Sequence, residues 1–377
     1  ITAYLANLLK LKTSQINAAI KLIDEGNTIP FIARYRKEAT GDMKDEQLRD
    51  LNDKLIYVRN LIKRQNEIKN NIEEQGKMTP ELSLAIDKVE KLQELEDIYL
   101  PYKQKKRTRA MIAKEKGLEP LAQFILKQED SSEKLEDIAL KYLNDEVTSS
   151  DEALAGASDI IAETISDSAD IRAKLRQHLW QTSSLSITRD KEADSDEAFL
   201  MYEDYTEPIK HLPSHRILAI NRGESKDILK VKLISDIDKD IAIITKFILK
   251  QNSPYKEFLT NAIIDAYKRL IFPALEREIR NQLTETAQTQ AIHVFASNLK
   301  QLLLQAPLAG YTVMGLDPGY RTGCKMAIVD ATGQVLDHGV LYITMSDDAK
   351  AKSAQKLLDY IQKYQVNLIS IGNGTAS

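Results

Sequence analysis

Apolar residues recur every three or four positions through roughly the first 300 residues, which is the spacing of one face of an α-helix. The longest such stripe lies within residues 44–75, with a break in the pattern near Gln65. It predicts one long helix that ends before Gly76, since glycine is common just past a helix end. The stripe consists of Leu48, Leu51, Leu55, Val58, Ile62, Ile68 and Ile72.

The N-terminal segment predicts two short helices joined by a tight turn. A helix is predicted over residues 13–24, the glycine-containing residues 25–27 end it, and a second helix is predicted over residues 28–41. This is the outline of a helix-turn-helix, although any packed pair of helices has the same pattern.

The pattern is more varied between residues 191 and 310. Residues 191–204 are acidic and weakly apolar, which is typical of a linker or an exposed loop. Two short apolar runs, 217–221 and 228–234, flank a glycine-containing segment and predict a β-hairpin. Helical spacing then returns up to residue 305, where Pro273 should kink or divide the helix.

After residue 310 the helical spacing gives way to short apolar runs separated by turns. These runs predict the opening of an RNase H-like sheet, with Asp317 at the tip of its first strand. The predicted elements are strands over 313–316, 326–329, 339–343 and 366–371 and a helix over 347–364. Such a domain usually needs on the order of 100 residues. Fewer follow Tyr311, so we expect an incomplete domain from a longer protein.

These patterns predict a mainly α N-terminal region with a small β-hairpin insertion, followed by an incomplete α/β RNase H-like domain. We assign residues 1–190 to the helical region with its helix-turn-helix-like start. Residues 191–310 hold the linker, the hairpin and the long helices, and residues 311–377 hold the partial RNase H-like domain.

Composition narrows the class of protein. No apolar run approaches the ~20 residues of a membrane span, so we expect no membrane association. The single cysteine, Cys324, excludes an intramolecular disulfide and favours a cytoplasmic location. The net charge of −4 is not that of a bulk polyanion binder, so any contact with RNA or DNA must come from a local basic patch.

Two local basic patches are candidates for nucleic-acid binding. The first lies in a predicted loop, where clustered donors suit phosphates, and consists of Lys103, Lys105, Lys106, Arg107 and Arg109. The second lies on a predicted short helix and consists of Arg34, Arg36 and Lys37. Each is also compatible with a solvated surface, the second more so than the first, because in the second we expect at least one arginine in an intramolecular ion pair.

Asp317 is the candidate for catalysis. A carboxylate at a central strand tip is typical of a Mg²⁺ ligand in an RNase H-like nuclease or of the phosphate-site acid of an actin-like ATPase, or it only shapes a turn. Two-metal hydrolysis needs several converging carboxylates, and the predicted fourth strand supplies none. The ATPase would need a second Asp-Gly strand and an adenosine pocket, and neither is visible. The five histidines are scattered, so we expect no metal site and no cofactor, with Mg²⁺ only under the nuclease alternative.

Four motifs in order along the chain, 29–41, 97–110, 115–121 and 316–325, resemble the bacterial Tex proteins, which are transcription accessory factors. The resemblance covers essentially the whole chain. It implies a helical N-terminal region with a helix-turn-helix, a YqgF/RuvC-like domain of RNase H fold, helix-hairpin-helix modules and a C-terminal S1 domain. It also implies kinship with a eukaryotic elongation factor that acts as a histone chaperone.

The resemblance implies a nucleic-acid-binding function without catalysis in this part of the protein, which leaves Asp317 as a vestigial candidate. RNA or DNA is the expected partner, with the transcription machinery as a further one. The main nucleic-acid contacts of the family lie in its S1 and helix-hairpin-helix parts. The alternative is a metal-dependent nuclease or resolvase related to RuvC.

Overall fold

The computed structural model describes residues 1–104, 106–131, 133–192, 197–306 and 308–373. The chain divides into two compact units, Ile1–Ala291 and Ile292–Ser377. The first unit is mainly helical, as predicted, and the second carries the sheet predicted near residue 317.

The first unit contains helices of very different length and three short strands. Its first eight helices are α1 (Thr2–Leu9), α2 (Thr13–Asp24), α3 (Ile29–Tyr35), α4 (Lys37–Thr40), α5 (Asp45–Glu74), α6 (Pro80–Lys88), α7 (Leu92–Tyr99) and α8 (Arg109–Glu115). The next are α9 (Glu119–Lys127), α10 (Leu135–Leu140), α11 (Ser150–Ser166), α12 (Ala169–Thr182), α13 (Ser214–Ser225), α14 (Ile237–Ile248), α15 (Lys256–Asp265) and α16 (Phe272–Leu303), of which residues 272–291 belong to this unit. The strands are β1 (Ser184–Arg189), β2 (Tyr205–Pro208) and β3 (Leu229–Ile234).

The long helix predicted from the apolar stripe is confirmed as α5. Leu55 and Val58 are buried in it, as the stripe requires. The helix is continuous through Gln65, where the apolar pattern is interrupted, as predicted. The Gln65 side chain is buried and its Nε2 donates to the carbonyl oxygens of Ile86 at 2.8 Å and Val89 at 3.1 Å. A polar residue fits within the apolar face because its amide is hydrogen-bonded.

The first predicted helix of the N-terminal pair is confirmed as α2, but the second is divided into α3 and α4. The division falls at Arg36, whose φ of −130° is not helical. Gly41 ends α4 with a φ of +63°, and Gln15 Nε2 donates to its carbonyl oxygen at 2.8 Å. A Cβ at Gly41 would lie 2.8 Å from that nitrogen. The helix-turn-helix itself stays a prediction.

The small β element within the helical region is a three-stranded sheet rather than the predicted hairpin. Its order is β2-β1-β3, with both pairs antiparallel. The second run does form a strand, over residues 229–234, but the prediction for residues 217–221 is wrong because they lie within α13. Ile217 and Ile220 are both buried, and three residues apart they share one face of that helix. So short an apolar run fits either a helix or a strand.

The end of the acidic stretch 191–204 is not an exposed loop. Phe199 and Tyr202 are buried in the same core as α11 and α13, while residues 193–196 lie outside the described residues. This core runs from Ala110 to Ala287 and so includes residues on both sides of the boundary assigned at 190. The domain boundaries stay predictions.

The division expected at Pro273 takes the form of a π-helical segment, Ala266–Ile271, directly before α16. Pro273 has no N–H to donate to the carbonyl of Arg269, so the regular hydrogen-bond ladder cannot continue across this point. Beyond the segment, the side chains that α16 buries recur every four residues: Leu275, Ile279, Leu283 and Ala287.

The second unit contains the predicted sheet and helix. Its elements are β4 (Val313–Asp317), β5 (Cys324–Val329), β6 (Val335–Leu341), α17 (Asp347–Tyr364) and β7 (Leu368–Ile371). The order is β6-β5-β4-β7, with β4 antiparallel to β5 and parallel to β7. One face of the sheet, including Met314 and Met326, packs against Leu357 and Ile361 of α17. The third strand begins earlier than predicted because residues 335–338 pair with β5.

Candidate nucleic-acid interface and strand-tip carboxylate

The first basic patch forms the connection between α7 and α8. A single 3-10 turn, Leu100–Tyr102, follows α7, and the Lys103 N–H donates to the carbonyl of Tyr99 at 3.0 Å. Thr108 ends the connection, because its Oγ1 accepts from the N–H of Met111 at 3.1 Å and caps α8. The predicted loop is therefore confirmed for its described residues. Arg109 belongs to the first turn of α8, and Lys105 lies outside the described residues.

The lysines of this patch differ from its arginines in their partners. Arg107 Nη2 lies 2.8 Å from Glu115 Oε2, and both side chains are exposed. Arg109 lies near Asp159, where burial raises the pKa of the carboxyl and Arg269 and Arg109 oppose that rise. No acidic side chain in the described part of the chain pairs with Lys103 or Lys106, and both are exposed. The patch thus keeps two unneutralised ammonium groups.

The second basic patch spans the break between α3 and α4, and all of its side chains are exposed. The Arg36 guanidinium lies 5.2 Å from the Phe31 ring centroid, and its Nη1 donates to the Tyr35 carbonyl at 3.2 Å. The expected ion pair is therefore wrong: among the described residues, no carboxylate pairs with Arg34 or Arg36. Arg36 contacts an aromatic ring and a backbone carbonyl instead of a carboxylate.

A buried ionic cluster anchors α7, the helix before the first patch. Asp97 Oδ1 accepts from Arg172 Nε and from Arg176 Nη2, each at 3.0 Å. Arg176 also pairs with Glu278 of α16. Burial disfavours the charged form of Arg176, but its bonds to Glu278 and Asp97 outweigh this and raise its pKa. Sequence reasoning missed the cluster, although Asp97 begins one of the four motifs.

Asp317 is exposed at the end of β4, as its position after an apolar run predicts. Strand register places it directly opposite Lys325 on β5. Directly paired residues of antiparallel strands project from the same face, with Cβ atoms about 5 Å apart. The end of β7 is also near, since the Gly372 N–H donates to the Leu316 carbonyl at 2.8 Å. The nearest cross-strand neighbour of Asp317 is therefore a cation.

The side chains at this strand tip do not fit a pair of metal ions. Two divalent ions need several converging carboxylates, and the described residues contain no group of three or more His, Cys, Asp or Glu arranged to hold one. Asp330 follows the opposite end of β5, roughly 17 Å of strand from Lys325. Its Oδ1 accepts from the Thr332 hydroxyl and from the N–H groups of Thr332 and Gln334. The Asp330 carboxylate thus stabilises the turn in which it lies.

Cys324 is a packed strand residue, as expected. Burial, and then the charge of Asp317, raise the pKa of its thiol. The thiol is therefore protonated near neutral pH and is a poor ligand and nucleophile.

A separate property of the described chain concerns membranes. None of its helices within the described ranges is both long enough and apolar enough to cross a bilayer.

Three families of protein domain match the chain in order. One described as the Tex-like protein N-terminal domain matches residues 1–73, one described as Tex central region-like matches residues 130–295, and one described as the Tex protein YqgF-like domain matches residues 311–377.

Similar proteins match the chain over nearly all of its length. An uncharacterized protein YdcI of Bacillus subtilis is 44% identical over 380 residues, covering 99% of this chain and 52% of that protein. The transcriptional accessory protein Tex of Neisseria gonorrhoeae is 41% identical over 392 residues, covering 100% and 50%. The human S1 RNA-binding domain-containing protein 1 is 33% identical over 377 residues, covering 95% and 37%. The chain thus spans about half the length of these bacterial relatives.

Proposed function

The chain belongs to the Tex family, and from that membership we propose that it is a nucleic-acid-binding accessory factor in transcription that acts by binding and not by catalysis. Two relatives support the proposal through their names, one a transcriptional accessory protein and the other an S1 RNA-binding domain protein. RNA or DNA is the proposed ligand, and the transcription machinery is the proposed wider partner.

The observation that carries the proposal is the pair of exposed lysines in the first basic patch. Lys103 and Lys106 are exposed, and no acidic side chain of the described residues forms an ion pair with either of them. Lysine ammonium groups on a surface bind phosphates by releasing the counterions that surround a nucleic acid. The patch belongs to a chain whose net charge is −4, so it supports local rather than general attraction.

The second basic patch is the proposed secondary contact. Arg34 and Lys37 are exposed, and Tyr35 beside them has an exposed ring. Exposed aromatic and cationic side chains together suit unpaired bases and their phosphates. No hydrogen bond or ion pair of the described residues joins this patch to the first, so the two are proposed as separate contacts.

The absence of catalysis is part of the proposal. A nuclease would need its carboxylates gathered at the tip of β4, where Asp317 instead faces Lys325. We also propose a cytoplasmic location, which agrees with a role in bacterial-type transcription and with a single cysteine kept as a free thiol.

The proposal is tested by fluorescence anisotropy of labelled RNA and DNA, single-stranded and duplex, titrated with the chain at several salt concentrations. The double variant Lys103→Ala/Lys106→Ala should bind more weakly and flatten the salt dependence. The matched control is Lys91→Ala/Lys352→Ala, which removes two exposed lysines that each pair with an acid. Equal losses in the two double variants would show a general charge effect and reject the first patch. No binding by the wild-type chain at low salt would reject the proposed function.

A further inference from the structure

The loop that joins β4 to β5, residues 318–323, presents a large aromatic side chain to solvent. Tyr320 is 66% exposed, although tyrosine usually buries most of its ring. Its neighbour Arg321 is exposed as well. These residues belong to the motif 316–325, together with Asp317.

The loop holds Tyr320 in one place. Its carbonyl accepts from the Thr344 hydroxyl at 2.8 Å. Gly323 has a φ of +80°, and a Cβ there would lie 2.7 Å from a methyl carbon of Val340. At Gly319 a Cβ would lie 2.7 Å from the Gly323 carbonyl oxygen. Only glycine fits these two positions without strain, so the backbone packs tightly while the ring projects outward.

Two basic residues, Arg321 and Lys325, lie within five positions of Tyr320 in the chain. Arg321 and Lys325 are exposed, and in the described part of the chain neither forms an ion pair with an acidic side chain. Lys325 lies opposite Asp317 in the strand register. Its positive charge disfavours the binding of a divalent cation at the Asp317 carboxylate. Asp317, Arg321 and Lys325 together carry one negative and two positive charges, which favours an anion over a metal ion at these three side chains.

We propose that Tyr320, Arg321 and Lys325 form a contact for single-stranded nucleic acid, with the Tyr320 ring stacked on a base and the two cations on the adjoining phosphates. This rests on the proposed nucleic-acid-binding function but concerns a different surface from the two basic patches. A rigid exposed ring flanked by cations is the arrangement that binds unpaired bases in a sequence-tolerant way. In a duplex the base faces are already stacked, so the single strand is the preferred ligand.

The first test measures binding of labelled oligo-uridine and oligo-deoxythymidine by fluorescence anisotropy with the full chain. Tyr320→Ala should weaken single-strand binding about five-fold or more, whereas Tyr320→Phe keeps the ring and should bind as wild type. Tyr311→Ala is the matched control, since Tyr311 is an exposed tyrosine near the opposite end of β4. Arg321→Gln/Lys325→Gln should flatten the salt slope by about 1.4 for single strands. A matching duplex should respond much less to Tyr320→Ala.

A second measurement does not depend on any variant. Photo-crosslinking of the wild-type chain to 4-thiouridine RNA, followed by mass spectrometry, should yield an adduct on the peptide that contains Tyr320. If the wild-type chain binds single strands but Tyr320→Ala binds equally well and crosslinks map only elsewhere, this contact is rejected while the proposed function stands. If Tyr311→Ala loses as much affinity as Tyr320→Ala, the stacking contact is also rejected. If the wild-type chain binds no nucleic acid, both proposals fall together.

Discussion

Arg172 Nε donates a hydrogen bond to Asp97 Oδ1 at 3.0 Å, between side chains that are only 7% and 3% exposed. Seventy-five positions separate the two residues in the chain. Their bond fixes α7 against α12, and α7 leads through the 3-10 turn Leu100–Tyr102 into the first basic patch. The orientation of that patch therefore depends on a buried ion pair.

Removing Asp97 should destabilise the first unit strongly. Asp97→Ala leaves the buried Arg172 and the partly buried Arg176 without one of their partners, and breaking a buried pair typically costs about 3–5 kcal/mol. Urea denaturation followed by circular dichroism should show a lower midpoint. The control is Asp24→Ala, which removes an equally well-formed but exposed pair with Arg59 and should shift the midpoint far less. Equal shifts in the two variants would show that the Asp97 pair has no special structural role.

The exposed bond between Arg107 and Glu115 should restrain nucleic-acid binding. Glu115→Gln removes the negative charge and frees the guanidinium, so the affinity for duplex should rise and the salt slope should steepen by up to about 0.9, the value of one phosphate contact. Glu119→Gln is the control, because Glu119 pairs with Lys114 on the same part of the chain. Unchanged affinity and slope in Glu115→Gln, measured by anisotropy at several salt concentrations, would mean that Arg107 does not reach phosphate.

Asp317 should be dispensable for binding, and the chain should not cleave nucleic acid. Asp317→Asn should bind single strands as well as or better than wild type, because it removes the only acid that register pairs with Lys325. Single strands, duplexes and four-way junctions incubated with Mg²⁺ or Mn²⁺ should stay intact. Cleavage that requires metal and disappears in Asp317→Asn would restore the nuclease alternative.

The turn at Asp330 should make the second unit sensitive to acid. Hydrogen bonds from the Thr332 hydroxyl and N–H lower the pKa of Asp330 below its ordinary value of 3.8. A carboxyl whose folded pKa is depressed stabilises the protein above its unfolded pKa, and this contribution is lost as the pH falls through the folded pKa. Asp330→Ala should therefore melt below wild type at neutral pH, with a gap that narrows below about pH 3.8. A gap that stays constant across this range, measured by calorimetry, would contradict the assignment.

The long apolar pattern of α5 and the short runs of the second unit predicted their elements, but one short run did not. The α5 stripe extends from Leu48 to Ile72 within a helix of 30 residues, so its burial was predictable from spacing alone. Residues 217–221 are too few for their pattern to distinguish a helix from a strand, so packing decides. Here α13 packs closely on β3, since a Cβ at Gly223 would lie only 2.5 Å from the Leu229 side chain.

The candidate sites were predictable only in part. The basic residues are visible in the sequence. Which of them form ion pairs depends on the fold, as for Arg107 with Glu115, and the sequence alone does not show such pairs. The opposition of Asp317 and Lys325 follows from strand register, which the seven intervening residues do not determine. The exposure of Tyr320 depends on close contacts of glycines with neighbouring backbone and side chains, and composition carries no sign of them.

The π-helical segment Ala266–Ile271 sets the angular phase of α16. Each residue advances an α-helix by about 100°, so shortening this segment by one residue would turn everything that follows by about that angle. Leu275, Ile279 and Leu283 would then leave the core and the polar face would enter it. The number of residues in this segment therefore determines which side chains of α16 face the core. Its length is as constrained as the identity of those side chains.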